Sequence, residues 1–158
     1  MKLFLRRNVS ADNNIFSVFD EQGFEKYNIV SKKANSNSDF AIQNTDGQAV
    51  CRIRRLPVAG TNIYLFKADK KRIAFIRTLI ADGIKCHYYG NNWHVIGNIS
   101  AKNFSVVDVD NSLIATHKKV MSDYELNIFD SKNEMFCIAT SLCIDLINTI
   151  DNRAAQAI

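Results

Sequence analysis

The segment EMFCIATSLCIDLINTI, residues 134–150, is nearly all apolar and lies close to the end of a 158-residue chain. A helix that is apolar on almost every side must be enclosed, by protein or by lipid. Its uncharged part starts at Met135 and ends at Asp145, well short of the roughly 20 residues needed to span a bilayer. Ser141, Asp145 and Asn148 recur at helical spacing and form a polar stripe that hydrocarbon would penalise. The segment is therefore expected to be a core helix. Ser131 and Glu134 stand three apart just before it, which predicts a capping box at the helix start, with each side chain satisfying a free backbone N–H.

The residues before it must supply the enclosure. Turn signals recur along the chain at DEQG (20–23), NTDG (44–47), DKKR (69–72), GNN (90–92), VDNS (109–112) and DSKN (130–133). The first five are flanked by short runs rich in β-branched and aromatic residues, the pattern of hairpins. Looser connectors are read at SKKANSN (31–37), RLPVAGT (55–61), LIADG (79–83), SAKN (100–103) and MSD (121–123), with the single proline, Pro57, inside one of them. About twelve short strands result, from KLFLRR to YELNIF. Several alternate cleanly. Tyr124, Leu126 and Ile128 face one way and Glu125 and Asn127 the other, while Arg52 and Arg54 share the face opposite Cys51 and Ile53. A meander this long has to cover or close its edges. Without a second helical layer, closure is the solution. The expected fold is mainly β (α+β): a closed antiparallel twelve-stranded barrel around a central C-terminal hydrophobic helix, one domain over residues 1–152 with 153–158 as a short tail.

Composition narrows the function only a little. The chain is 47% hydrophobic and 23% charged, with a net charge of +4, which permits a phosphate-bearing partner without requiring one. Cys51, Cys86, Cys137 and Cys143 form no CxxC pair and are expected as buried thiols. MKLFLRRN has a three-residue apolar patch ahead of two arginines, not the pattern of a secretory signal. The expected location is cytoplasmic, with peripheral attachment to a membrane as the variant that a lipid ligand would require.

Basic residues gather near strand ends: Lys32 and Lys33; Arg52, Arg54 and Arg55; Lys70, Lys71 and Arg72; Lys118 and Lys119. Converging on one wall or rim, some of these would hold a phosphorylated headgroup, and the arginine fork suits two phosphate oxygens. Arg52, Arg54, Lys70, Lys71 and Arg72 are the candidate anion-binding set, and Arg52 and Arg54 lead it because two arginines on one strand face need water or a partner. No metal or cofactor is assigned. Cys86 and His87 point to opposite faces of a strand, so they do not combine with His94 around an ion. Asp108 and Asp110 are read as turn residues, since the rest of a calcium loop is missing. There is no glycine-rich phosphate loop, GxSxG or HExxH. Asp145 is the one carboxylate in a strongly apolar setting, expected to accept hydrogen bonds where the helix leaves the core. Interleaved aromatic and basic residues in NIYLFKADKKRIAFIRTL are the ordinary product of a sheet core and do not indicate nucleic acid.

FSVFDEQG, FAIQNTDGQAVCRIRR with its D-G-x-x-V-x-x-I turn and strand, HVIGNISAKNFSVVD taken as the last strand before the helix, and the apolar helix ending at Cys143–Asp145 together resemble the tubby C-terminal-like superfamily. The closer resemblance is to its YxjI-type and LURP-one-related branch, over residues 1–152. It implies a twelve-stranded barrel around a hydrophobic helix. Tubby proteins bind membrane phosphoinositides and the phospholipid scramblases share the fold, but this branch lends no activity residue by residue, and the chain lacks the scramblases' proline-rich region. The function expected is a non-enzymatic domain that binds anionic phospholipid headgroups at the inner membrane surface. The alternative is a soluble protein-interaction or regulatory domain without lipid binding. An enzyme has no constellation behind it.

Overall fold

In the computed structural model the described residues are 1–9, 13–32, 38–58, 61–80 and 83–156, with side chains described except at 57, 79–80 and 147–156. Twelve antiparallel strands run β1 (Lys2–Arg7), β2 (Asn14–Phe19), β3 (Glu25–Ser31), β4 (Asp39–Asn44), β5 (Ala49–Val58), β6 (Thr61–Ala68), β7 (Lys71–Ile80), β8 (Gly83–Tyr89), β9 (His94–Asn98), β10 (Asn103–Val107), β11 (Leu113–Val120) and β12 (Asp123–Ile128). Each pairs with its sequence neighbours, and β1 closes the circle against β12, from Lys2 opposite Asn127 to Leu5 opposite Tyr124. The N-terminal amine donates to the Ile128 carbonyl at 2.9 Å and the Ile128 N–H to the Met1 carbonyl at 2.8 Å.

Turn chemistry sets the hairpins. Asp20 Oδ1 accepts the N–H groups of Gln22 and Phe24, Asn44 Oδ1 those of Asp46 and Gln48, and Asp108 Oδ1 those of Asp110 and Ser112, all within 3.1 Å. Short Asp and Asn side chains replace the ladder bonds that a bending backbone gives up. Asp108 thus has the turn role its sequence context suggested. Two connectors differ from expectation. β5 runs on through Pro57 to Val58, and β6 starts at Thr61, so most of RLPVAGT is strand; β7 likewise continues to Ile80 and β8 begins at Gly83. Cross-strand packing of Leu56 on Ile63 and of Ile63 on Ile76 overrides the local punctuation. HVIGNISAKNFSVVD is β9 and β10, two strands earlier than expected, and YELNI (β12) is the strand that leads to the helix.

A 3₁₀ turn, Ser131–Asn133, opens into helix α1 (Glu134–Gln156). Phe136–Ala139 and Leu142–Leu146, Asp145 included, are buried together with Thr140 and Ser141. Burial on consecutive positions all round a helix means enclosure, and the helix shares one core with the inward residues of the strands, among them Leu5, Phe16, Ile53, Phe66, Phe75 and Leu126. Among the described residues no helix is long and apolar enough to cross a membrane. The capping box is not formed. Asp130 is the cap, with its side chain accepting the Lys132 N–H at 3.1 Å. Glu134 is drawn away by Lys26, whose ammonium donates to its carboxylate at 2.8 Å.

The polar side chains of the enclosed helix are satisfied in place, as burial requires. Thr140 Oγ1 donates to the Phe136 carbonyl and stands 2.5 Å from the Tyr88 hydroxyl on β8; Ser141 Oγ donates to the Cys137 carbonyl at 3.1 Å. Asp145, 2% exposed, accepts hydrogen bonds from the Tyr124 hydroxyl at 2.7 Å and from the Lys102 ammonium, with Arg7 at 3.6 Å on its other oxygen. Asn148, the third member of the expected stripe, lies outside the described side chains. Burial opposes the charge on Lys102, but its bonds to Asp145 and Tyr124 outweigh that and raise its pKa. Beside it His117 donates through Nδ1 to the Lys102 carbonyl at 2.8 Å and lies between the rings of Phe104 and Tyr124. Burial lowers its pKa to about 4.

Asp145→Leu is expected to destabilise the fold by about 3 kcal/mol, because removing one partner strands the buried end of Lys102; the shift of the urea midpoint measures it. The pH dependence has a definite sign. Folded His117 binds its proton only near pH 4 whereas the unfolded residue binds it near pH 6.5. The unfolded state therefore holds more protons between those values, and stability falls as pH drops from 6.5 towards 4. This one residue contributes about 3 kcal/mol of the loss. Urea unfolding at pH 7 and pH 4.5 should show a difference that shrinks by most of that amount in His117→Phe.

Candidate anion-binding groove

The register of β5, β6 and β7 brings cations together that are far apart in sequence. Arg52 stands opposite Lys67, and Lys67 opposite Arg72. All three face outward and are exposed. With neighbouring strands about 4.8 Å apart, the row spans roughly 10 Å. The next row along the same wall is Asp39, Arg54, Leu65, Ala74 and Tyr89. These two rows, with Lys32 from the end of β3, line a groove of about 580 Å³. Asp39 is its acid. None of Arg52, Arg54, Lys67 and Arg72 has a side-chain hydrogen bond or ion pair among the described residues.

The opposite wall is different. On β1, β11 and β12, Lys118 and Lys2 pair with Glu125 at 3.3 and 3.8 Å, and Arg6 pairs with Asp123 at 3.1 Å. The outward cations Lys2, Arg6 and Lys118 are neutralised there by neighbours. Those in the groove are left to the solvent or to a ligand.

Beyond the groove the wall carries one largely apolar row and then a mixed one. The third row is Leu56, Ile63, Ile76 and His87, and the fourth is Val58, Thr61, Thr78 and Lys85. Leu65 and Val58 are 39% and 49% exposed and Tyr89 is 75% exposed. A cationic strip bordered by outward aliphatic side chains is an amphipathic surface on the outside of a barrel whose core is already filled.

Of the five expected residues, the fold brings Arg52, Arg54 and Arg72 to one groove. Lys70 sits in the β6–β7 turn, and Lys71 points the other way, its ammonium 5.6 Å from the centre of the Phe136 ring at the start of the helix. Neither lines the groove. The other basic residues disperse as well: Arg55 faces inward and donates to Asn62 Oδ1 at 2.6 Å, Lys118 is on the paired wall, and Lys33 lies outside the described residues. Lys67, Leu65 and Tyr89 were missed. The signal that finds Lys67 and Leu65 is the two-residue turn at Asp69–Lys70, which fixes Lys67 opposite Arg72, whereas Tyr89 enters through the β7–β8 register.

A twelve-stranded antiparallel barrel holding a C-terminal apolar helix is the architectural class of the chain. The model of the LURP-one-related family matches residues 1–145, and the chain belongs to that family. A protein of Arabidopsis thaliana solved by X-ray crystallography is similar in structure, with a TM-score of 0.59 over 96% of this chain and 91% of the other. Its 11% sequence identity makes this a likeness of fold alone. No curated protein matches the sequence.

Because the groove arginines make no side-chain hydrogen bond or ion pair among the described residues, replacing them should leave the fold intact. Arg52→Ala with Arg54→Ala is expected to change unfolding free energy by less than about 0.5 kcal/mol for each residue, measured by thermal or urea unfolding beside the wild type.

Proposed function

We propose that the protein is a non-enzymatic domain that binds anionic phospholipid headgroups at the inner surface of a membrane through the wall formed by β5, β6 and β7. The observation that supports this is the set of unpaired cations Arg52, Arg54, Lys67 and Arg72 in one groove, directly beside outward Leu65, Ile63 and Val58. Arginine forks and a lysine ammonium bind phosphate oxygens. The aliphatic row Leu56, Ile63 and Ile76, with Leu65 and Val58 beside it, gives the hydrocarbon boundary of a bilayer something to meet, which a soluble polyanion would not use. Approach of such a wall to a negatively charged leaflet is favourable by about 1 kcal/mol per basic residue near the surface and is screened by salt.

Vesicle flotation tests it. The chain is expected to float with phosphatidylcholine vesicles only when phosphatidylserine or phosphoinositide is included, and to release as salt is raised. The Arg52→Ala, Arg54→Ala double variant should bind roughly 30-fold more weakly. Lys118→Ala, on the ion-paired wall, should bind like the wild type. Absence of flotation with anionic vesicles at low salt would overturn the proposal.

A further inference from the structure

Among the described residues the barrel is closed by strand pairing everywhere except at one place. Every other neighbouring pair shares at least four positions in register. β8 and β9 share one, His87 opposite His94, next to the turn that joins them. Beyond it the two strands separate. Gly83–Cys86 of β8 and Val95–Asn98 of β9 have no cross-strand partner in each other, although each strand is fully laddered on its far side, β8 to β7 and β9 to β10. The wedge between them has a volume of about 360 Å³ and is lined by Gly83, Ile84, Gly97, Asn98, Ile99 and Ser100.

The chemistry of the wedge specifies its occupant. Facing strand edges present backbone N–H and C=O groups at strand spacing, which only another extended backbone can satisfy in series. On the inner side the wedge is apolar: Ile84 shares the inward face of β8 with Cys86 and Tyr88, and Gly97 stands opposite buried Phe104. Gly97 has φ +109°, and a Cβ there would meet the Asn103 carbonyl oxygen at 2.9 Å. The position is thus held to glycine, and the inner layer lacks a side chain at this point of the lining. On the outer side Lys85 is exposed and makes no ion pair among the described residues.

We propose that this seam is a docking site for an extended peptide segment of a partner protein, which adds a short strand between β8 and β9. The peptide places an apolar side chain inward against Ile84, Gly97 and Ile99, and an acidic side chain outward beside Lys85. This is strand addition, in which backbone bonds supply affinity and alternate side chains supply selectivity. The seam shares no lining residue with the cationic groove, although Lys85 also ends the fourth row of the adjoining wall, and peptide binding is read without lipid.

Selection of a phage-displayed library of random linear dodecapeptides on the full chain, followed by amide hydrogen exchange with the selected synthetic peptides, tests it. In the free protein the amides of residues 84–86 and 95–98 that do not serve the β7 and β10 ladders should exchange much faster than those of β6 and β7. Selected peptides should carry an acidic residue next to an apolar one and slow exchange at those amides. Binding should weaken about threefold in Lys85→Glu and recover when the peptide's acid is changed to lysine, a charge-swap rescue that misfolding would not produce. The proposal is overturned by seam amides already as slow as those of β6 and β7, by a selection without enrichment, or by selected peptides that protect other strands.

Discussion

The enclosure of α1 is the interaction on which the rest depends. A barrel of twelve strands has an interior that the strands' own side chains do not fill, and Phe136, Ile138, Leu142 and Ile144 fill it from a single helix. In return the barrel hides a helix that would otherwise expose apolar surface on every side. Hydrophobic contact alone does not fix how deep the helix sits or how it is rotated. The Tyr88–Thr140 pair and the cluster of Asp145, Lys102, Tyr124 and Arg7 provide directional bonds that do. His117, stacked and buried neutral beside that cluster, makes its stability sensitive to acid.

With the interior occupied by the helix, the surface left for a ligand such as the proposed headgroup is the outside of the barrel. The outward positions of the strands are not uniform. On the β1, β11 and β12 side, charges are matched across strands. On the β5–β7 side they are not, and they adjoin aliphatic side chains. The β8–β9 seam is a third kind of surface, a backbone edge rather than a side-chain patch. A fold that keeps its inside fixed can vary these three regions with little effect on its core.

The fold was legible because its determinants are local. Asp20, Asn44 and Asp108 mark turns by bonding to the backbone two and four residues on. The alternation of Cys51, Arg52, Ile53 and Arg54 survives as buried and exposed faces. The uncharged run of α1 forced an enclosed helix. Details that depend on which side chains compete for one another were not legible: Glu134 matches a capping box by spacing, yet Lys26, 108 residues earlier in the chain, takes its carboxylate. The groove was partly legible for the same reason. Arg52 and Arg54 follow from one strand, whereas Lys67 and Tyr89 enter only through the register of neighbouring strands, and Lys71 leaves because parity turns it towards Phe136.

The most direct measurement of the enclosed helix is thiol reactivity. Cys137 and Cys143 lie on α1 and are buried, as are Cys51 and Cys86 on the barrel wall. Burial pushes the Cys137, Cys51 and Cys86 thiols up to about 12 and raises that of Cys143 as well, so the reactive thiolate is scarce in the folded state. Titration with an aromatic disulfide reagent at pH 8 should leave all four unmodified in the native protein and release all four in denaturant. Rapid modification of Cys137 and Cys143 in the native protein, with Cys51 and Cys86 still protected, would place the helix outside the barrel and contradict the account.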